Sequence, residues 1–231
     1  MSHPPIEVVS FDAAGTLIHL AEPVGVTYSR VATQHGNPVS PESLEKTFTL
    51  VWKRTPPPFS RSGDGNEDPD ERSWWKRLVA DVFKESGHQF QKAAAFESFF
   101  EDLYDTFERP GSWMADSETS DLLFRIGRRY RLVIVSNFDS RLRRILRDLN
   151  LLHHFETLFL SCEEKLSKPD PLLFKRVSET LGVIPGAILH VGDDPKCDWA
   201  GAEAAGFRYF PTGPRGRPLS ELPGELSLAS P

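Results

Sequence analysis

Four short stretches of the chain carry groups suited to one reaction. Asp12 closes the apolar run Val8-Val9-Ser10-Phe11 and is followed by Ala13-Ala14-Gly15-Thr16-Leu17. Ser136-Asn137 closes a second apolar run, Arg131-Leu132-Val133-Ile134-Val135. Lys168 stands in Ser167-Lys168-Pro169-Asp170-Pro171, and Asp193-Asp194 closes a third run, Ala187-Ile188-Leu189-His190-Val191-Gly192, with Asp198 shortly after. A carboxylate at a strand end can be a covalent nucleophile, a metal ligand or both. The set fits phosphoryl transfer. Asp12 would attack phosphorus and form an aspartyl-phosphate. The Ser136 hydroxyl, with backbone N–H groups around Asn137, Gly15 and Thr16, would hold the phosphoryl oxygens. Lys168 would balance charge and hold Asp12 in place, and Asp193 with Asp12 would bind Mg²⁺ through hard oxygens. Singly, each group has a plainer use: Asp12 and Ser136 as strand-end caps, Lys168 as a surface lysine, Asp194 as a helix cap. It is their joint occurrence at strand ends that points to chemistry.

These groups converge only if the runs before them are neighbouring parallel strands. Apolar runs that end in polar residues and alternate with helical patterns predict such a sheet, with ligands at its carboxyl edge. The predicted helices after the first hundred residues are Asp121–Tyr130, Ser140–Leu149, Pro171–Leu181 and Asp198–Ala205. Phe155–Leu160 and Phe207–Phe210 read as further strands. Gly182 and Gly206 stop the last two helices, and Pro171 opens one of them. The tail after Pro211 is rich in Pro and Gly and reads as a loose surface segment.

Between His19 and Gly111 the pattern is helical, over Val24–His35, Pro41–Trp52, Arg72–Gly87 and Gln91–Phe107. Phe96, Phe99, Phe100, Leu103, Tyr104 and Phe107 form one stripe, the buried face of a helix. Thr55 to Asp70 is too long for a plain connector and reads as a lid or specificity loop, or as a mobile one. Of Trp74 and Trp75 after it, one should pack inward while the other lines a cleft. The predicted fold is therefore α/β: a Rossmann-like, doubly wound parallel sheet from residues 1–18 and 112–231, with an α-helical cap inserted at 19–111.

Composition narrows the function classes. The 231 residues are 39% hydrophobic and 26% charged, with a formal net charge of -6. That is ordinary for a globular protein and carries no basic footprint for nucleic acid. A net negative charge mildly repels an anionic substrate, so a cation in the site would help. No run is long enough to span a bilayer, and Met1-Ser2-His3-Pro4-Pro5 does not read as a signal peptide. Cys162 and Cys197 match no metal spacing and read as reduced thiols of a cytoplasmic protein.

In Phe11-Asp12-Ala13-Ala14-Gly15-Thr16-Leu17, Val135-Ser136-Asn137-Phe138-Asp139, Lys168-Pro169-Asp170-Pro171 and Val191-Gly192-Asp193-Asp194 with Asp198-Trp199-Ala200-Gly201-Ala202, the chain resembles the haloacid dehalogenase-like hydrolase superfamily. A helical block between the first and second motifs is similar to the subclass with a small α-helical cap. The Ser-Asn-Phe-Asp motif and the Trp-Trp pair resemble its "domain-containing protein 3" branch. The resemblance implies a hydrolase with Mg²⁺ as cofactor and a small phosphorylated or other acidic metabolite as substrate. Asp12, Ser136 and Lys168 are then catalytic, Asp12, Asp193 and the Ala14 position hold the metal, and Asp194 and Asp198 support the site.

Ala14 departs from the family's phosphatases, which carry there a second aspartate acting as general acid and base. The loss of such a group costs about 10²–10⁴-fold. The Ala14 backbone carbonyl can still ligate Mg²⁺. Several readings follow. A weak or unusual phosphatase would use water, a labile substrate, or a displaced acid such as Asp139 or His19. A dehalogenase needs no acid, but family dehalogenases are metal-free, and the acidic residues here speak against that. A phosphonatase would need a Schiff-base lysine, for which Lys46 and Lys53 are available. A binding or scaffold protein would keep only the fold. The weak phosphatase is the reading the residues favour.

Overall fold

The first strand, β1 (Val8–Phe11), is buried along its whole length. That is the pattern of a parallel strand covered on both faces. In the computed structural model, which describes residues 4–59 and 70–228, β1 is the central strand of a sheet. The chain turns from it into β2 (His19–Leu20), α1 (Val24–Gln34), α2 (Pro41–Arg54), α3 (Glu71–Glu85) and α4 (Ala93–Thr106). It returns through β3 (Trp113–Met114), which pairs with β2. Helices and strands then alternate: α5 (Thr119–Gly127), β4 (Arg131–Ser136), α6 (Leu142–Asp148), β5 (Thr157–Leu160), α7 (Ser161–Glu164), α8 (Pro171–Leu181) and β6 (Ile188–Gly192). A π-helix over Pro195–Ala200, α9 (Gly201–Ala204), β7 (Arg208–Pro211) and α10 (Leu222–Glu225) complete the chain.

The main sheet has the order β5-β4-β1-β6-β7, and every pairing is parallel. β1 therefore lies where the order reverses: later strands add on one side through β4 and on the other through β6. The connections diverge there and leave a crevice at the carboxyl edge, the place where ligands bind in open α/β sheets. This is a Rossmann-like α/β fold. Register puts Phe11 beside Ile134 and Val191, so Asp12, Ser136 and Asp193 all leave the sheet at that edge.

The chain divides into two compact units. One contains residues 4–19, Phe59 and 115–228; the other contains 20–58 and 70–114. The helical unit has its own core, built on Tyr28, Leu44, Trp74, Phe83, Phe99 and Phe100. Phe99, Phe100, Leu103 and Tyr104 of the aromatic stripe are buried, with Phe96 and Phe107 packed partly buried beside them. Trp74 is the inward tryptophan, and its indole donates to the Pro56 carbonyl at 3.0 Å. Trp75 stacks on Trp52 with ring centroids 5.8 Å apart. Helix starts follow their caps: Ser40 accepts from Ser43 N before α2, and Asp70 accepts from Ser73 N before α3. Residues 60–69 of the expected loop lie outside the described residues.

Two expectations need correction. The helix expected from Asp198 begins earlier, as the π-turn at Pro195. Asp194 Oδ1 accepts from the N–H groups of Lys196 and Cys197, and its carbonyl accepts from both Asp198 and Trp199. The carboxylate thus satisfies the free N–H groups of the first turn, and the wider turn sets the direction of Asp198. The tail after Pro211 is not loose through Leu228. Leu222, Pro223 and Leu226 are buried, and the Tyr130 hydroxyl donates to the Leu226 carbonyl at 3.0 Å. Three apolar side chains spaced over one turn supply an anchor that a composition rich in Pro and Gly hides.

Candidate active site

Asp12 follows the last residue of β1, and its N–H donates to the Val191 carbonyl at 2.9 Å. The sheet therefore fixes its backbone. The turn after it is wound around one oxygen: the Ala13 carbonyl accepts from the N–H groups of Thr16, Leu17 and Ile18. Gly15 takes φ +87°, and a Cβ there would stand 2.8 Å from Asp193 Oδ2. Only glycine combines that backbone with so close an approach to the carboxylate. Ala14 is partly exposed, and among the described residues no hydrogen bond ends on its carbonyl.

The Asp12 side chain is held at one oxygen. Oδ1 accepts from Ser136 Oγ at 2.8 Å and from Lys168 Nζ at 2.7 Å. No described donor reaches Oδ2. Lys168 is 2% exposed and also donates to Asp198 Oδ1 at 2.5 Å. Its main chain is clamped by Asn137, whose Nδ2 donates to the Lys168 carbonyl at 2.8 Å and whose Oδ1 accepts from the Lys168 N–H at 2.7 Å. The Asn137 side chain thus braces Lys168, leaving its backbone N–H as the group near Ser136. Thr16 Oγ1 donates to Asp193 Oδ1 at 3.3 Å. Ser136, Lys168, Asp193 and Asp198 therefore surround Asp12, and Asp194 sits behind them as the cap of the π-helix.

Asp198 does more than the sequence suggested. Oδ1 takes the Lys168 ammonium and His190 Nε2, and Oδ2 takes the Asp194 N–H at 2.9 Å. Gly192 makes this possible: a Cβ there would lie 2.3 Å from Asp198 Cγ. His190 and Ser10 had no role in the sequence reading. The available signal was one serine and one histidine inside otherwise apolar strands.

Charge is unbalanced. Single oxygens of Asp12, Asp193 and Asp198 lie within 4.8 Å of one another, and among the described residues the Lys168 ammonium is the cation bonded to Asp12 and Asp198. Burial pushes the Asp12 carboxyl above its ordinary range; Lys168 opposes the rise and Asp198 adds to it. Burial pushes Asp193 up to about 6, and the Asp12 and Asp198 charges contribute. Burial alone would also raise Asp198, but Lys168 and His190 outweigh it and hold Asp198 well below the usual carboxylate range. Burial likewise opposes the Lys168 charge, yet Asp12 and Asp198 hold its pKa above the ordinary value. Two carboxylates strained upward around hard oxygens are a fitting seat for a divalent cation. Asp198, with both oxygens taken by N–H donors, is placed as an anchor for Lys168.

The surroundings of the other candidates differ. Asp139 is closed by Arg141, with Nε on Oδ1 at 2.9 Å and Nη2 on Oδ2 at 2.6 Å, both side chains buried. A carboxylate locked in that fork is not a displaced acid. His19 is exposed and lines a cavity of about 330 Å³ with Thr16, Leu17, Asp116, Thr212 and Leu219. Lys46 and Lys53 are exposed on α2, without the desolvation a Schiff-base lysine uses. Both cysteines are free thiols. Burial pushes Cys197 up to about 12, with the Asp194 charge adding, which favours the thiol over the thiolate.

A parallel sheet with its order reversed at β1, and an Asp, Ser, Lys and Asp meeting at that edge, define a hydrolase core of one class. A sequence model of haloacid dehalogenase-like hydrolases matches residues 6–206. The chain belongs to that family. It is 32% identical over 206 residues to the human haloacid dehalogenase-like hydrolase domain-containing protein 3, covering 89% of this chain and 81% of the human protein. Among solved structures, YfnB from Bacillus subtilis, described as bound to magnesium, superposes with TM-score 0.76 over 97% of this chain and 100% of its own at 18% identity. L-2-haloacid dehalogenase from Xanthobacter autotrophicus gives TM-score 0.69 over 96% and 83% at 21% identity. At such identities the two structures speak for the fold alone. No helix among the described residues is long and apolar enough to cross a membrane.

The raised Asp193 carboxyl predicts a pH dependence. Folded, it binds its proton up to about 6; unfolded, it releases it near the ordinary 3.8. Between those values the folded state binds more protons, so stability falls as pH rises through the window. Asp198 has the opposite sign but acts only below the ordinary value, outside that window. In EDTA, the Tm of the wild type should fall relative to Asp193→Asn between pH 4 and pH 7. Millimolar Mg²⁺ should reverse that fall in the wild type only. Parallel Tm curves for the two proteins would contradict the assignment.

Proposed function

We propose that this hydrolase is a Mg²⁺-dependent phosphatase of low rate, acting in the cytoplasm on a small phosphorylated metabolite through an aspartyl-phosphate at Asp12. The observation that carries the reading is the way Asp12 is held. Ser136 and Lys168 pin one oxygen and leave the other without a donor among the described residues. In this reading Oδ2 attacks phosphorus, and the bond to the leaving oxygen breaks. The backbone N–H of Asn137, and the Ser136 hydroxyl once it turns from Asp12, take the phosphoryl oxygens. The N–H groups of Gly15 and Thr16, expected from the sequence to join them, are committed inside the turn, Gly15 to the Ile18 carbonyl at 2.8 Å and Thr16 to the Ala13 carbonyl at 3.3 Å, and so drop out of that role. Lys168 offsets the charge that collects there. Mg²⁺, held by Asp12, Asp193 and the Ala14 carbonyl, would neutralise phosphoryl charge when bound. Residues 1–18 and 112–231 form the catalytic core in this reading, with 19–111 as an inserted helical block.

The leaving group must find its proton without a carboxylate at position 14. With Asp139 committed to Arg141, water and His19 on the cavity wall are the remaining sources. The matching experiment is a panel of an aryl phosphate, acetyl phosphate, a sugar phosphate and 2-chloropropionate, each with Mg²⁺ and with EDTA. Aryl and acyl phosphates should be hydrolysed only with Mg²⁺, with the sugar phosphate slowest. Halide release in EDTA, with no phosphate released from any ester, would overturn the phosphatase reading in favour of a dehalogenase.

A further inference from the structure

We infer that Ser10 and His190 form a buried positioning relay that fixes the Asp198 carboxylate, and through it the Lys168 ammonium, against Asp12. The inference rests on the proposed role of Lys168 at Asp12.

Ser10 and His190 are register partners across β1 and β6. Both are fully buried. Ser10 Oγ lies 2.9 Å from His190 Nδ1, and His190 Nε2 lies 3.1 Å from Asp198 Oδ1. The Phe174 ring meets the imidazole edge-on, with centroids 5.2 Å apart and planes at 84°. Both ring nitrogens are therefore engaged and the ring plane is fixed. A sheet of this kind is stable with Val or Leu at both positions, and a buried polar group without partners is destabilising. A serine and a histidine set opposite each other, with each other and Asp198 as their side-chain partners among the described residues, are not what strand formation asks for.

The proton positions follow from the partners. Asp198 Oδ1 already accepts from the Lys168 ammonium, and an ionised carboxylate has only acceptors. His190 Nε2 must therefore donate. The neutral ring then presents Nδ1 as an acceptor, which the Ser10 hydroxyl fills. Burial favours that neutral form, holding the imidazole below its ordinary pKa although the Asp198 bond pulls the other way. With His190 on Oδ1 and the Asp194 N–H on Oδ2, the Asp198 carboxylate cannot turn. Lysine needs that help: its ammonium rides on a flexible four-carbon stem, so its position is set by its acceptors. His190 touches neither substrate nor metal in this arrangement and is a positioning residue.

The test compares His190→Gln with His190→Phe. Gln keeps a donor toward Asp198 but leaves part of the ring volume empty. Phe fills the volume and removes the donor. A packing role makes Phe the milder change; a relay makes Gln the milder one. With an aryl phosphate and Mg²⁺, His190→Phe should lower kcat about 10- to 100-fold with KM changed less than about threefold. His190→Gln should stay within about fivefold of the wild type. Equal kcat for Phe and wild type, or a Phe variant milder than Gln, would overturn the relay.

A second readout does not need turnover. In ¹⁵N NMR of the whole protein, His190 should show a protonated Nε2 and a bare Nδ1. The Lys168 ammonium should give a slowly exchanging signal that disappears in His190→Phe and persists in His190→Gln. The reverse tautomer, or a Lys168 signal indifferent to both variants, would refute the relay. If the wild type hydrolyses no phosphate, the phosphatase reading fails while the NMR arm still decides the relay.

Discussion

Replacing Asp12 with asparagine is expected to remove turnover, by roughly 10⁴-fold or more, while leaving the fold in place. A carboxamide oxygen is no nucleophile toward phosphorus. The same oxygen can still accept from Ser136 and Lys168, so the two hydrogen bonds at Oδ1 survive. The substitution also removes a carboxylate whose charge the fold disfavours, since burial raises Asp12 above the ordinary range. The Lys168 ammonium keeps Asp198 as its counter-charge. Asp12→Asn should therefore melt within a few degrees of the wild type. Rates on an aryl phosphate and acetyl phosphate, beside a thermal melt, decide the matter. A folded Asp12→Asn protein with undiminished turnover would remove Asp12 from the chemistry. A wild type silent on the whole panel, with a specific partner whose binding ignores the substitution, would favour a scaffold.

The second large effect concerns Ala14. Attack by Asp12 needs no base, because the reacting carboxylate is ionised. Departure of an alkoxide does need an acid, and the later attack of water on the aspartyl-phosphate needs a base. Ala14 supplies neither. Restoring a carboxylate with Ala14→Asp should raise alkyl-phosphate turnover by roughly 10²-fold, with a smaller gain for aryl phosphates, whose leaving groups need less help. The position is partly exposed and two residues beyond Asp12 on the same turn, so a longer side chain there need not be fully buried. The ratio of sugar-phosphate to aryl-phosphate kcat/KM is the measurement. A folded, Mg²⁺-binding Ala14→Asp protein with no gain on any ester would show that the missing acid does not limit the rate. Halide displacement would then account better for the site, because halide leaves without a proton.

Much of this was legible in the sequence, for a physical reason. Parallel strands buried on both faces must be continuous apolar runs, so Val8–Phe11, Arg131–Val135 and Ile188–Val191 announce themselves. Their polar ends are then the only places where Asp12, Ser136 and Asp193 can stand. Helix caps work the same way: Ser40, Asp170 and Gly182 mark boundaries through bonds made within a few residues. What depended on distant contacts was not legible. Asp139 and Arg141 are two residues apart, yet nothing in their order says that they close on each other in a buried fork. Asn137 was expected to offer its backbone N–H, but nothing in the sequence said that its side chain would clamp the Lys168 main chain, thirty-one residues away. The tail concealed its anchor because Leu222 and Leu226 are buried only in the folded chain, where the distant Tyr130 hydroxyl also holds the Leu226 carbonyl. Ser10 and His190 were hidden most completely. Each is one polar residue in an apolar strand, and only the pairing of β1 with β6 sets them opposite each other. Local order along the chain determined the strands, the caps and the residues at the sheet edge. The tertiary structure decided which of those residues hold one another, because hydrogen bonds between buried side chains are fixed by strand register and packing rather than by spacing in the chain.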